Sequence, residues 1–130
     1  MWTYKSRTGE LIRPDGTSFG YGFSGQRLGL NEPSKQYEKM IGPIPAGKFI
    51  LKAWIQKHPK LGLCCIDLDP APGVDLGGRS DFLIHGYRDM FKNGMKAFLE
   101  SSNGCICIGD CNTRKQIWDS PDHKLFVDPS

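Results

Sequence analysis

The chain has 130 residues, of which 38% are hydrophobic and 24% charged, and its formal net charge is +3. That length fits one domain spanning residues 1–130 around a single core, and the composition excludes a chain too polar to fold. No apolar run approaches the roughly 20 residues of a membrane-spanning helix, and lysines and arginines are interleaved with acids, so neither membrane insertion nor a nucleic-acid-binding surface is expected.

The 16 glycines and 9 prolines fall at short intervals, in the manner of a loop-rich, mostly β fold with few helices. Met1 to Ser6 carry no apolar stretch behind a basic end. The expectation is therefore a protein made without a secretory signal peptide and kept in the cytoplasm unless another machine exports it. Trp2, Tyr4, Thr8-Gly9, Leu11-Ile12 and Pro14-Asp15-Gly16 read as an N-terminal hairpin, because Gly and Asp-Gly supply the positive φ of tight turns. Residues 20–34 are glycine-rich and read as a long loop, of the length that compact domains keep for function.

Gly42-Pro43-Ile44-Pro45-Ala46-Gly47 is a stiff turn, since each proline fixes its own φ and extends the residue before it. Lys48 to Ile55 then alternates, with Phe49, Leu51, Ala53 and Ile55 expected on one side, and Leu61 to Leu68 continues in the same style. These two runs are expected to pair through Gln56-Lys57-His58-Pro59. A short strand over Asp81 to His85 follows, ending in a histidine. Phe91, Met95, Phe98 and Leu99 make a helical stripe over 88–100, which Gly94 weakens. Cys105 to Ile108 reads as a buried strand, Asp110 as the cap of a helix running through Trp118, and Lys124 to Val127 as the last strand.

Five cysteines, Cys64, Cys65, Cys105, Cys107 and Cys111, leave at least one thiol unpaired. On a strand Cys64 and Cys65 point to opposite faces, so at most one of them readily meets Cys107 or Cys111, and the pairing stays open. A cysteine attacks as thiolate and needs an imidazole or a helix N-terminus nearby. In Ser102-Asn103-Gly104-Cys105 the glycine clears space beside the sulfur, and backbone N–H groups near 104 and 105 are candidates for an oxyanion hole. His85, followed by Gly86, is the candidate base. A buried inert cysteine and a strand-capping histidine are about equally good readings of these two residues taken singly. His58 and His123 sit among polar residues and read as solvated loop histidines. Zinc held by Cys105, Cys107, Cys111 and His85 is disfavoured, because the Cys-x-x-Cys knuckles of structural zinc sites are missing.

With His85-Gly86 and Ser102-Asn103-Gly104-Cys105-Ile106, the chain resembles the L,D-transpeptidases of peptidoglycan, whose signature is a His-Gly after a strand and a later Ser-x-Gly-Cys. The order Gly22-Phe23-Ser24-Gly25, Asn31-Glu32-Pro33, Gly42-Pro43-Ile44-Pro45-Ala46-Gly47 is similar to the short, signal-less branch delivered as type VI secretion effectors. The resemblance covers about residues 2–118. It implies a β-sandwich or barrel with one or two short helices, and a Cys105 thioester formed on a stem peptide with release of a terminal D-amino acid. Resolution of the thioester by water gives L,D-carboxypeptidase activity, and by an amine cross-linking or exchange. By the same carry-over His85 is the base, Gly104 and Cys105 form the oxyanion hole, Ser102, Asn103 and Gly86 shape the pocket, and Arg114, which follows the motif, binds substrate. Tyr21 and Ser24 are expected to line the cleft, and Arg79 to meet a substrate carboxylate. No cofactor is implied. The implied partners are peptidoglycan stem peptides, an immunity protein and a secretion component, with action in the periplasm of a target bacterium. The departure is Asn103, where many members carry histidine, so the base must come from His85 or be lost. The alternatives are a catalytically silent wall- or partner-binding module of the same fold and, less favoured, a zinc-stabilised structural domain.

Overall fold

The computed structural model describes residues 1–86 and 104–130; the expected helix over 88–100 lies outside them. Nine strands form one mixed sheet: β1 Trp2–Lys5, β2 Glu10–Ile12, β3 Ser18–Tyr21, β4 Phe23–Ser24, β5 Gly47–His58, β6 Gly62–Pro70, β7 Leu83–His85, β8 Ile106–Cys107 and β9 Lys124–Asp128. Among the described residues there is one α-helix, α1, over Cys111–Asp119. The mostly β expectation therefore holds at the level of fold class.

The strand order is β3-β2-β1-β9-β5-β6-β7-β8-β4. β3 and β4 occupy opposite edges of this sheet, yet only Gly22 separates them along the chain, so the open sheet must curve to bring its edges together. Gly22 is where they meet: its N–H donates to the Gly9 carbonyl at 2.8 Å, and a Cβ there would stand 2.3 Å from the Cys107 carbonyl oxygen. Only a residue without a side chain fits. The long loop expected over 20–34 is thus partly ordered, holding the end of β3, all of β4, and 3-10 turns at Arg27–Gly29 and Pro33–Lys35.

The N-terminal hairpin forms as expected, with β1 and β2 antiparallel, and β1 also pairs in parallel with β9. The β5–β6 hairpin forms too, but β5 runs on to His58. The turn follows it, and the His58 Nδ1 accepts from the N–H groups of Lys60 and Leu61 at 3.1 Å each.

The alternation expected for β5 is corrected at its centre. The register slips between Leu51, opposite Leu68, and Ala53, opposite Asp67. The extra residue reverses the parity of everything beyond it. Phe49 and Leu51 enter the main core, whereas Ile55 packs on a separate small cluster with Cys65, Leu83 and Cys105.

The main core joins Trp2, Tyr4, Phe49, Ile66, Ile84, Ile106, Leu125 and Val127 from the sheet with Ile117 from α1. Asp110 caps α1 as expected, accepting from the Thr113 N–H at 2.8 Å. A disulfide joins Cys64 of β6 to Cys111, the first residue of α1, with a Cα–Cα distance of 5.3 Å; it settles a pairing that spacing left open. Among the described residues, Cys65, Cys105 and Cys107 take part in no disulfide.

Candidate active site

Three neighbouring strands carry the site. Ile66 of β6 lies opposite Ile84 of β7, and Ile84 opposite Ile106 of β8; these three isoleucines form a row on the core face. Successive strand residues point to opposite faces, so the rows beside it face the other way. One row runs Asp67, Leu83, Cys105, and the next places His85 beside Cys107 and, one step along the register, Cys65.

The parallel pairing of β7 with β8 is what makes this arrangement. The register sets His85, at the end of β7, beside Cys107, and Cys105 two residues earlier beside Leu83, so the two side chains stand on one face of the sheet although they belong to separate motifs. Both border one cavity of about 840 Å³, together with Ile55, Asp67, Arg79, Asp81 and Leu83.

His85 is 1% exposed. Its Nδ1 stands 2.7 Å from the Gly86 carbonyl oxygen, which only accepts, so Nδ1 carries the proton and a neutral ring keeps its lone pair on Nε2. That is the tautomer of a base. The Cys107 Sγ lies 3.5 Å from Nδ1 and 3.6 Å from Nε2. Being nearly equidistant from both nitrogens, it packs on the ring rather than aiming at either one.

Cys105 is 8% exposed. The Leu83 N–H donates to its Sγ at 3.4 Å, and the sulfur stands 3.7 Å from the Asp81 carbonyl oxygen. An N–H aimed at sulfur favours the ionised form. Gly104, at φ +119°, presses against Arg79, since a Cβ there would meet the guanidinium at 2.0 Å. Burial holds the Arg79 guanidinium below its ordinary value, and the Cys105 thiol opposes that shift. A cation therefore stands beside the sulfur, where it attracts a thiolate.

The residues expected to bind substrate separate into several environments. Arg79 borders the cavity, but its guanidinium also donates to the carbonyl oxygens of Gln36, Pro43 (2.8 Å) and Gly42 (3.0 Å), and it lies over the Phe82 ring. It fastens the Gly42-Pro43 turn to the wall that carries Cys105.

Ser24 is corrected. It is fully buried, its Oγ donating to the Gly104 carbonyl at 3.1 Å and accepting from the Ile44 N–H at 2.8 Å. It props the turn before Cys105 from beneath and does not line the cleft.

Arg114 is likewise corrected. It is 5% exposed and donates to the carbonyls of Cys64 (2.6 Å), Ile108 (2.9 Å), Gly109 and Leu63. It staples β6 to the chain leaving β8. Gly86 makes room for it, since a Cβ there would stand 2.9 Å from the guanidinium.

Tyr21 is 63% exposed on the edge strand β3, with its hydroxyl donating to Glu10, and it does not border the cavity. Ser102 and Asn103 lie outside the described residues.

Two residues of the site were not singled out as site residues from sequence. The sequence offers Cys107 only as a metal ligand or disulfide partner, although its place two residues after Cys105 puts it on the same strand face. Asp67 alternates with Cys65, a signal visible in the sequence, but only the register with β7 carries it to the cavity. Among the described residues no cluster of three or more His, Cys, Asp or Glu could hold a metal ion, and the disulfide removes Cys111 from the zinc set. Compared with known proteins, the chain matches no family model and no curated protein.

Proposed function

We propose that the protein is a cysteine acyltransferase acting on peptidoglycan stem peptides, with the L,D-transpeptidase type of fold and reaction. The observation that carries the reading is the convergence of Cys105 and His85 on one cavity from adjacent parallel strands. The tautomer set by Gly86 and the cation at Arg79 support it.

In the reaction His85 Nε2 takes the Cys105 proton, and the sulfur attacks the carbonyl at the L-configured centre. The C–N bond to the terminal D-residue breaks as that amine takes the proton back from His85. Water or an amine then adds to the thioester, its proton passing through the same imidazole, and the Cys105 thiol is restored. Backbone N–H groups at Gly104 and Cys105 would stabilise the oxyanion.

A periplasmic toxin that enters a rival cell through a secretion apparatus, with an immunity protein guarding the producer, belongs to the same proposal. The Cys64–Cys111 disulfide supports action in an oxidising compartment. Mass spectrometry of muropeptides tests the chemistry: wild type shortens tetrapeptide stems or exchanges their last residue, and Cys105→Ala does neither. Equal activity in the two proteins would sink the mechanism.

One observation favours a silent binding module instead, namely that the His85 ring packs against Cys107. Iodoacetamide at neutral pH separates the readings. An activated Cys105 is alkylated faster than a free thiol, and a silent site is not.

A further inference from the structure

Residues 79–83 wrap around the Cys105 thiol. The Leu83 N–H donates to the sulfur at 3.4 Å, the Asp81 carbonyl oxygen accepts from the S–H at 3.7 Å, and the Arg79 guanidinium lies against Gly104. The middle contact depends on an uncommon backbone. Asp81 has φ +63°, in the left-handed region where an L side chain crowds its own backbone.

Asp81 is held between fixed points. On one side the Arg79 N–H donates to the Leu76 carbonyl at 3.1 Å. On the other, Phe82 is 3% exposed, and its carbonyl accepts from the Leu68 N–H at 3.0 Å. The change of direction between them falls at Ser80-Asp81 and turns the Asp81 carbonyl toward the sulfur. The Asp81 carboxylate accepts instead from the Ser80 hydroxyl at 3.3 Å, so the thiol meets the backbone of this residue. Left-handed conformations of this kind persist where the surrounding structure holds them, and they gather at working sites. A carbonyl oxygen accepts from S–H and repels S⁻, so it favours the protonated thiol, whereas the Leu83 N–H and the Arg79 cation favour the thiolate.

We propose that Asp81 is the positioning residue of the nucleophile: its left-handed backbone aims a carbonyl at the Cys105 S–H, fixes the direction of the thiol and keeps the resting sulfur protonated until His85 takes the proton. This rests on the acyl-transfer reading for the part played by His85, and the state of the thiol can be measured apart from turnover. The other groups around Cys105 that bear on its ionisation are Asp67 and Cys65 of β6, His85 of β7, His58 and Lys60 of the β5–β6 turn, and Lys39 at the mouth. All of them stay in place in the variants that follow.

The decisive comparison is Asp81→Gly against Asp81→Val in the full chain. Both remove the carboxylate, so its charge cancels between them; glycine adopts φ +63° freely, and β-branched valine resists it. The readout is the pH profile of Cys105 alkylation by iodoacetamide, followed by mass spectrometry of the peptide that carries it. The valine profile is expected at lower pH, with alkylation on its acidic side about threefold faster than in the glycine variant. Stem-peptide turnover should be about tenfold lower with valine than with glycine. A thermal melt checks folding, and Asp81→Ala, which resists the same φ with less bulk, replaces valine if that variant does not fold. Coincident profiles for the two variants, or a valine profile displaced to higher pH, overturn the proposal. The expected displacement, in a protein whose wild type turns over no stem peptide, would instead overturn the acyl-transfer reading and leave Asp81 as the residue that sets the thiol.

Discussion

The two faces of β6, β7 and β8 differ by a single residue step. On one face Ile66, Ile84 and Ile106 are at most 1% exposed and join the main core. On the other, the same strands present Asp67, Cys65, His85, Cys105 and Cys107. Apolar area sets the energy of the first face and the placement of a few polar atoms sets the second. The backbone between them is shared, so the core rows fix where the reactive groups stand. Substitutions on the two faces should therefore separate stability from chemistry, and failure of that separation would break the comparison.

The largest effect is expected from Cys105→Ala. If Cys105 is the nucleophile proposed above, losing its thiol should reduce turnover by at least about 10³-fold, with the melting temperature almost unchanged, because one small side chain leaves a wall already open to the cavity. Stem-peptide hydrolysis and a thermal melt measured side by side check both halves. A large drop in melting temperature would mean that the reactive face also holds the fold together.

Next comes the Cys64–Cys111 disulfide, which ties β6 to the helix covering the core face. Its sequence separation is 47, and a chain-entropy account gives about 4 kcal/mol of stability from constraining the unfolded state. The double variant Cys64→Ala/Cys111→Ala should lose most of that in urea unfolding. Below its melting temperature it should retain turnover, because Arg114 still ties β6 to the chain after β8.

Ile84→Ala sharpens the contrast from the middle of the core row. It should cost about 3 kcal/mol through lost burial and the cavity left behind. Its neighbour His85 keeps its bond to Gly86, so activity at low temperature should fall by less than about tenfold, or 1.4 kcal/mol. A larger loss would show that the core row, more than the Gly86 carbonyl, sets the ring's position.

Much of this contrast is legible in the sequence, and what is not has a physical reason. Asp110 ahead of a polar run announces its helix, and His85 and Cys105 are marked by the punctuation around them, because those signals are local. The Leu51/Ala53 bulge is invisible, since one extra residue leaves composition unchanged while it reverses the face of Ile55. Neither Ser24 beneath Gly104 nor Arg114 against Gly86 is legible, because both depend on strands distant in sequence coming together. A motif arginine and a motif serine look like substrate ligands until the register buries them. Asp67 is hidden for the same reason in reverse, an ordinary strand aspartate until β7 carries it into line with Cys105.

The smallest effect expected is at the end of α1. The Thr113 N–H, then its hydroxyl, hold the Asp110 carboxyl below its ordinary value, against a smaller opposing effect of desolvation. A carboxyl whose folded value is depressed binds fewer protons folded than unfolded. Its contribution is therefore complete above the ordinary carboxylate range, near pH 4, and is lost as pH falls through the lowered folded value. Asp110→Ala should accordingly melt slightly below wild type at neutral pH, and the gap should close as the solution is acidified through that window. Asp15, Glu32, Asp122 and Asp128 are also held low, but they titrate in both proteins and cancel in the difference. A gap constant with pH would mean that the capping bonds do not depend on the carboxylate's charge. Since α1 contributes Ile117 to the core face and none of the cavity residues named above, turnover measured below the melting range should not follow the gap. If it did, the two faces would be coupled through the helix as well as through the strands.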